Sequence, residues 1–123
     1  MTDTTKLLTK AQRTKLLANG AANRERRAAC QDDIDFLPIV KLFTPDAGAT
    51  WLLSELDPDD NDTAFGLCDL GAGAPELGFV SLSEIAEVRG KLGLPVERDR
   101  HFTATDTVGA YACEAERLGA IRT

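Results

Sequence analysis

Four short apolar runs separated by turn-forming residues constrain the fold of this chain more than any other feature of its sequence. The runs occupy residues 38–43, 49–56, 63–70 and 76–82. Leu, β-branched and aromatic side chains dominate them, and Pro, Gly, Asp and Asn fill the gaps, which is the pattern of strands joined by turns. Connections this short favour antiparallel neighbours, because parallel strands need a crossover of about a dozen residues or more. Residues 37–82 are therefore predicted to form an antiparallel meander.

The first helix is predicted from its start and stop signals. Thr9 is placed to cap it, with Gln12 three residues later as the partner in a capping box. Gly20 is the residue type that ends helices, so we expect the helix to end there. Residues 21–30 are rich in Ala and Arg and are expected to add another helical turn or two.

Two further helices and an extended segment complete the predicted fold. A capping pattern at residues 81–84 begins the second helix, which we expect to end near Gly90. Residues 94–102 are expected to be extended, as an edge strand. The third helix is predicted from about Thr107 to Gly119. The chain is therefore predicted to be α+β, with a mainly antiparallel sheet of about four strands packed with about three helices.

Length and cysteine count restrict the class of protein further. At 123 residues, the whole chain (1–123) is expected to be a single domain with one core. Residues 1–6 are polar and no run approaches the roughly 20 apolar residues of a membrane span, so we expect neither a signal peptide nor a span. Cys30, Cys68 and Cys113 are too few and too widely spaced for a disulfide framework. We expect a soluble, cytoplasmic protein whose three thiols are reduced and buried or half-buried.

Charge is distributed very unevenly along the chain. Residues 31–88 contain thirteen of the 20 acidic residues and a single basic residue, Lys41. Residues 1–30 contain seven basic residues against two acidic ones, and the remainder is nearly balanced. The net charge of −6 therefore conceals a polarised molecule, and that polarity affects which partners are attracted and which are repelled.

Acidic residues at predicted strand ends and turns form the candidate partner-binding set. They are Glu55, Asp57, Asp59, Asp60, Asp62, Asp69 and Glu76. Alternate residues of a strand are about 6.6 Å apart, on the order of the spacing between neighbouring phosphates in a nucleic acid. Such a row would imitate a phosphate track, and its binding would weaken as salt rises. The leading hypothesis is a non-enzymatic protein that presents an acidic surface to a basic protein partner.

The basic residues of the N-terminal region support a second hypothesis, a nucleic-acid-binding accessory protein. The candidates for phosphate contact are Lys10, Arg13, Lys15, Arg24, Arg26 and Arg27. They lack interleaved aromatic residues and any recognisable DNA-reading motif, so a solvated helix face is the simpler interpretation. A third possibility is that this basic N-terminal arm docks on the acidic lobe, residues 31–88, of its own chain or of a neighbour.

Patterns for catalysis and metal binding are weak. His101 is the only histidine, which excludes a multi-histidine metal site and leaves one candidate general base. Residues 57–62 begin like a calcium loop, but Asp62 replaces the required Gly and Cys68 the required bidentate Glu. Residues 71–75 have glycines but lack the Lys and the helix start of a phosphate loop. We predict no catalytic residue, cofactor or metal, and keep a small enzyme using His101 as an alternative.

Four blocks of the sequence carry a family resemblance: residues 37–58, 64–71, 75–78 and 94–99. Together they resemble an uncharacterised, domain-of-unknown-function family of small bacterial proteins, typically encoded on plasmids and integrated mobile elements, often near antirestriction and conjugation genes. The resemblance extends from Leu7 to about Ile121. It is weakest in residues 21–31, which implies a variable basic arm within residues 1–31. The family resemblance implies a genomic context but no activity. That context fits a nucleic-acid-mimicking inhibitor of a host defence nuclease or a modulator of a transfer protein.

Overall fold

The computed structural model describes residues 4–123, in which a five-stranded antiparallel sheet is packed with three helices. The strands are β1 (Val40–Phe43), β2 (Thr50–Leu56), β3 (Thr63–Asp69), β4 (Glu76–Ser81) and β5 (Glu97–Arg98). The helices are α1 (Lys10–Ala28), α2 (Leu82–Glu87) and α3 (Val108–Leu118). The sheet order is β4-β3-β2-β1-β5. The predicted α+β class and its meander are confirmed, and the extended segment after α2 adds a short fifth strand.

α1 begins as the sequence predicts but extends further. Gln12 N donates to Thr9 Oγ1 over 3.1 Å and Thr9 N donates to Gln12 Oε1 over 2.9 Å, so the capping box forms. The helix then continues through Gly20 to Ala28, so the predicted end at Gly20 is wrong. A Cβ at Gly20 would lie 2.1 Å from the carbonyl oxygen of Leu56 in β2. This glycine therefore allows the helix to approach the strand, and it does not end the helix.

α1 also covers the part of β2 that β1 leaves unpaired. The ladder between β1 and β2 begins at the pair of Val40 and Leu53, so β1 does not reach the last residues of β2. Asn19 Nδ2 donates to the carbonyl oxygen of Ser54 over 3.0 Å. The helix thus contacts the backbone of β2 at the place where a longer β1 would have paired with it.

α2 begins where predicted and ends earlier. The hydroxyl of Ser81 accepts a hydrogen bond of 3.2 Å from the backbone N–H of the third helical residue. The helix ends at Glu87, whereas the sequence predicts an end near Gly90. Arg89 and Pro95 form an isolated antiparallel bridge, so the chain is already extended there. Pairing with the returning segment replaces the last predicted turn of α2.

Different helices cover the two faces of the sheet. Because side chains alternate along a strand, Trp51 and Leu53 lie on one face of β2 and Leu52 lies on the other. The first face packs with buried residues of α1 and α2 in the larger core cluster. The second face packs with Val108 and Ala115 of α3 in a smaller cluster. Among residues 4–123, no helix is long and apolar enough to cross a membrane.

Candidate functional site

Several carboxylates of the acidic segment, residues 31–88, accept hydrogen bonds from distant parts of the chain. Asp35 Oδ1 accepts from the backbone N–H of Gly109, in the first turn of α3, over 2.9 Å. Asp69 Oδ2 accepts from the backbone N–H of Ile121, just beyond α3, over 3.0 Å. These two bonds fasten α3 to the rest of the fold at both of its ends.

Two further aspartates fasten other segments in the same way. Asp46 Oδ2 accepts from the backbone N–H of Leu92 over 2.7 Å, which holds the loop after α2. Asp62 Oδ2 accepts from the hydroxyl of Ser81, the N-cap of α2, over 2.6 Å. This bond is the main cause that lowers the pKa of Asp62. We call these four groups the clasp carboxylates: Asp35, Asp46, Asp62 and Asp69.

Two of the seven predicted partner-binding residues are buried. Glu55 and Asp69 expose only 6% and 4% of their surface. Glu55 Oε2 accepts from Asn23 Nδ2 over 2.9 Å, and Arg27 lies 3.7 Å from its other oxygen. Burial nevertheless raises the pKa of Glu55, because desolvation outweighs both of these contacts. Glu55 and Asp69 are therefore largely hidden from a partner, although Glu55 lines a small pocket.

Residues 57–62 form an ordered hairpin loop between β2 and β3. Asp57 Oδ1 accepts from the backbone N–H of Asp59 over 2.8 Å, and Asp60 Oδ1 accepts from that of Thr63 over 2.9 Å. Hydrogen bonds from Thr63, first of all from its hydroxyl, lower the pKa of Asp60. Within residues 4–123, no three His, Cys, Asp or Glu side chains gather in a way that could hold a metal ion.

The predicted acidic set is brought together only in part. The clasp between Asp62 and Ser81 places the hairpin loop at the C-terminal end of β4. Glu76 is exposed at the N-terminal end of the same strand. The length of a six-residue strand, about 17 Å, separates the two positions. The exposed carboxylates therefore flank β4 and do not form a continuous row.

Several basic residues of α1 contact the chain's own acidic segment. Arg24 forms ion pairs with Asp57, at 3.4 Å, and with Asp59. Arg27 pairs with Asp33 at 3.0 Å, and this hydrogen bond raises the pKa of Arg27. The arrangement is the one described by the third sequence alternative, in which the basic arm docks on its own acidic lobe.

The remaining basic candidates are less engaged with acidic side chains. Arg13 and Arg26 each donate to a backbone carbonyl oxygen of the acidic segment. Lys10 and Lys15 are exposed on α1. Of the six predicted phosphate-contacting residues, only these two have side chains without a hydrogen bond or ion pair to the part of the chain that the structure describes.

His101 is exposed and lines a cleft together with Lys41, Asp99, Tyr111 and Arg122. The neighbouring carboxylate is already engaged: Asp99 Oδ1 accepts from the backbone N–H of His101 over 2.9 Å. Its other oxygen lies 3.7 Å from Lys41 Nζ. Among residues 4–123, therefore, no carboxylate is hydrogen-bonded to the imidazole of His101.

The three cysteines are free, as the sequence predicts. Burial raises the pKa of the Cys68 thiol to about 11, so it is protonated at neutral pH and is a poor nucleophile. Cys30 and Cys113 are exposed, so the prediction of buried or half-buried thiols is wrong for these two. Packing, not thiolate chemistry, accounts for Cys68, which lies against the larger core cluster.

The outer edge of β4 exposes large apolar side chains that sequence reasoning did not single out. Leu77 and Phe79 are 43% and 64% exposed, whereas Val80 packs on the larger core cluster. The ring of Phe79 lies against that of Phe65 in β3, with the ring centroids 5.2 Å apart. Leu77, Phe79 and Phe65 therefore form an apolar strip on the face that α3 only partly covers.

The backbone of the same residues is unpaired on its outer side. Thr63 and Ser81 are opposite each other in the ladder between β3 and β4. The bond that follows them joins Leu82 N to the carbonyl oxygen of Asp62, so Ser81 itself is at a non-hydrogen-bonded position. Such positions recur at every second residue, so the N–H and C=O groups of Leu77 and Phe79 point away from β3. No strand within residues 4–123 lies on that side. We call this outer side of β4 the open edge.

A small pocket of about 70 Å³ adjoins the open edge. Its lining includes the rings of Phe65 and Phe79, together with Pro58, Arg24 and Glu55. Aromatic and Arg side chains beside a shallow pocket are the types enriched where protein partners bind most strongly. The open edge, the pocket and the hairpin loop together form the candidate interaction surface.

The family comparison covers nearly the whole of this fold. Residues 7–122 match the family described as "Protein of unknown function (DUF2958)". The chain belongs to this family. The resemblance to an uncharacterised family is thus confirmed, and the match includes the basic region of α1. No curated protein and no solved structure matches the chain.

Proposed function

We propose that this chain is a non-enzymatic interaction protein that binds a basic protein partner beside β4 and the hairpin loop. The observation that carries the proposal is the open edge, with its unpaired backbone and the exposed side chains of Leu77 and Phe79. Native sheets shield their edges against chance pairing. An edge that is unshielded and apolar is therefore best explained as a surface kept for a partner.

Charge in the same part of the chain supports a basic partner. There is no Lys, Arg or His between Lys41 and Arg89, a stretch that includes β2, β3, β4 and α2. The same stretch contains ten acidic residues: Asp46, Glu55, Asp57, Asp59, Asp60, Asp62, Asp69, Glu76, Glu84 and Glu87. Arg24 and Arg27 of α1 offset part of this charge, because they pair with Asp57, Asp59 and Glu55. The clasp carboxylates accept from neutral N–H and O–H groups, which leave their negative charge in place. The resulting field attracts a positively charged partner and weakens as salt rises.

The proposal includes the mobile-element role implied by the family resemblance. An accessory protein encoded on plasmids would meet enzymes that handle nucleic acids, and these carry Lys and Arg along their binding grooves. A host defence nuclease or a transfer protein is therefore the first partner class to test. Binding through the open edge has more support than imitation of a phosphate row, because Glu55 and Asp69 are buried and Glu76 stands apart.

A pull-down from the native host at low and high salt tests the proposal. We expect a basic nucleic-acid-handling protein to be retained at low salt and released at high salt. The double variant Asp59→Lys/Glu76→Lys should retain roughly tenfold less of it, because it reverses two exposed charges of the surface. The matched control Glu25→Lys/Glu116→Lys makes the same change in net charge on α1 and α3, and should retain the wild-type amount.

Two results would contradict the proposal. In a gel shift at low salt, direct binding of DNA or RNA that is lost in Lys10→Glu/Lys15→Glu would favour the nucleic-acid-binding alternative. Equal loss of partner in the double variant and in its control would show that only total charge matters. Loss of function in His101→Ala, with the double variant unaffected, would instead favour the enzyme alternative.

A further inference from the structure

We infer that the partner binds by strand addition: an extended segment with alternating apolar and basic side chains pairs with β4 and becomes a sixth strand. The inference rests on the proposed function and specifies how the basic partner is held. It follows from three properties of the open edge, which are its backbone, its two faces and its charge.

The backbone of β4 is a straight and unobstructed template. Its register with β3 runs from the pair of Thr63 and Ser81 to the pair of Cys68 and Glu76 without a bulge. The strand contains no Pro, and Glu76 is its only charged residue. Leu77 and Phe79 each direct one donor and one acceptor outward, so an added strand forms main-chain hydrogen bonds with both.

The two faces of β4 select the side chains of the added strand. Leu77 and Phe79 lie on the face that α3 partly covers, so apolar residues of the added strand would pack on them. Glu76 lies on the opposite face, so basic residues of the added strand would meet its carboxylate. Because side chains alternate, one extended segment satisfies both faces only if apolar and basic residues alternate along it.

Charge favours such a segment over a second copy of this chain. Two copies pairing antiparallel about Gly78 would place Glu76 of each copy near the hairpin loop of the other. Each copy also carries a net charge of −6. Like charges facing each other oppose that assembly, whereas a basic segment is attracted by the same carboxylates.

A synthetic probe tests strand addition without knowledge of the natural partner. The probe is a blocked ten-residue peptide of alternating Val and Lys, and the control peptide alternates Val and Glu. Saturation with the Val-Lys peptide should slow hydrogen exchange at the amides of Leu77 and Phe79 by roughly tenfold or more, because the amides become hydrogen-bonded. The Val-Glu peptide should leave both amides unchanged.

Proline variants separate strand addition from other ways of binding. Leu77→Pro removes an outward N–H and leaves the ladder to β3 intact, whereas Leu77→Ala removes only the side chain. We expect Leu77→Pro to bind the Val-Lys peptide roughly tenfold more weakly than Leu77→Ala does. Phe79→Pro and Phe79→Ala repeat the comparison at a second position, in case one proline variant fails to fold.

The outcomes distinguish failure of the inference from failure of the proposed function. Equal binding by the proline and alanine variants, unchanged exchange at both amides, or no binding of the Val-Lys peptide would overturn strand addition. The proposed function would still stand if the host partner were retained with the charge dependence described above. Slow exchange at both amides in the free protein, together with a dimeric mass by light scattering, would overturn the inference in favour of a second copy.

Discussion

The outer edge of β5 and the open edge of β4 belong to one sheet but are built in opposite ways. β5 has only two residues, Glu97 and Arg98, and both are charged. Arg98 Nη1 donates to the carbonyl oxygen of Lys6 over 3.1 Å, so the segment before α1 lies against this edge. β4 has six residues, a straight register and exposed apolar side chains.

The difference shows that this fold protects the outer edge of β5 and leaves the open edge of β4 unprotected. A short strand, charged side chains and a covering segment are the devices that natural sheets use against unwanted pairing. On the protected side α1 adds to them by covering the end of β2. Exposure of the open edge is therefore not a general consequence of small size, and four predictions test this contrast.

Gly20→Ala should cause the largest loss of stability, on the protected side. A methyl group there would lie 2.1 Å from the carbonyl oxygen of Leu56, so α1 must move away from β2. We expect the free energy of unfolding in urea to fall by about 3 kcal/mol. The control Gly78→Ala adds a methyl group that meets nothing within 4 Å, and should change stability by less than about 0.5 kcal/mol. Equal losses in the free energy of unfolding for the two variants would show that close packing at Gly20 does not distinguish the protected side from the open edge.

Proline at adjacent positions of β4 should have unequal effects. Gly78 lies at a hydrogen-bonded position of the ladder, so Gly78→Pro removes a bond to β3 and should cost about 2 kcal/mol. Leu77→Pro removes an outward N–H and a half-exposed side chain but no bond to β3, and should cost less than about 1 kcal/mol. Urea unfolding of both variants measures the difference, and the reverse order would show that the outward groups are misassigned.

Loss of the clasp at Asp62 should destabilise the open edge moderately and in a pH-dependent way. Because the pKa of Asp62 is lowered in the folded state, its contribution is present above its ordinary pKa and lost as pH falls through the lowered value. Asp62→Asn should therefore cost about 1 kcal/mol at neutral pH, a modest value for a partly exposed group. Urea unfolding from neutral to acidic pH should show the two proteins converging, whereas Glu116→Gln should match wild type throughout.

Glu55→Gln should have the smallest effect of the four. The side chain is buried beside α1 and lines the pocket that adjoins the open edge, and desolvation raises its pKa in spite of the nearby Arg27. Replacing a buried charge by a neutral amide relieves desolvation and keeps an acceptor for Asn23. We expect a change within about 0.5 kcal/mol at neutral pH. A loss several times larger would show that the ion pair with Arg27 stabilises the fold.

The parts of the fold that follow from nearby residues were predictable from the sequence. The capping box of Thr9 and Gln12, the N-cap of α3 at Thr107 and its left-handed end at Gly119 all depend on residues within one helical turn. The strand positions follow similarly from short apolar runs and their turns. Gly20 was misinterpreted because the same residue type ends helices and permits close packing, and only the position of Leu56 separates the two uses.

The candidate interaction surface was predictable only in part, because its determinants are distant in sequence. The acidity of residues 31–88 is visible in the sequence, but the partner of each clasp is not: Asp62 bonds to Ser81, and Asp35 to Gly109. The open edge depends on the final order of the strands. A signal for it was present, since residues 77–80 form an apolar run without a charged residue.

The two clasps on α3 have a consequence for how the chain is made. α3 follows all five strands in the sequence, so on the ribosome the sheet can pair before α3 exists. Until then the small cluster around Leu52 and Leu67 has no cover. When α3 emerges, Asp35 and Asp69 offer it one acceptor at each end. The two hydrogen bonds thus fix the position of the late helix on a sheet that is already formed, and docking of that helix buries the nascent apolar face.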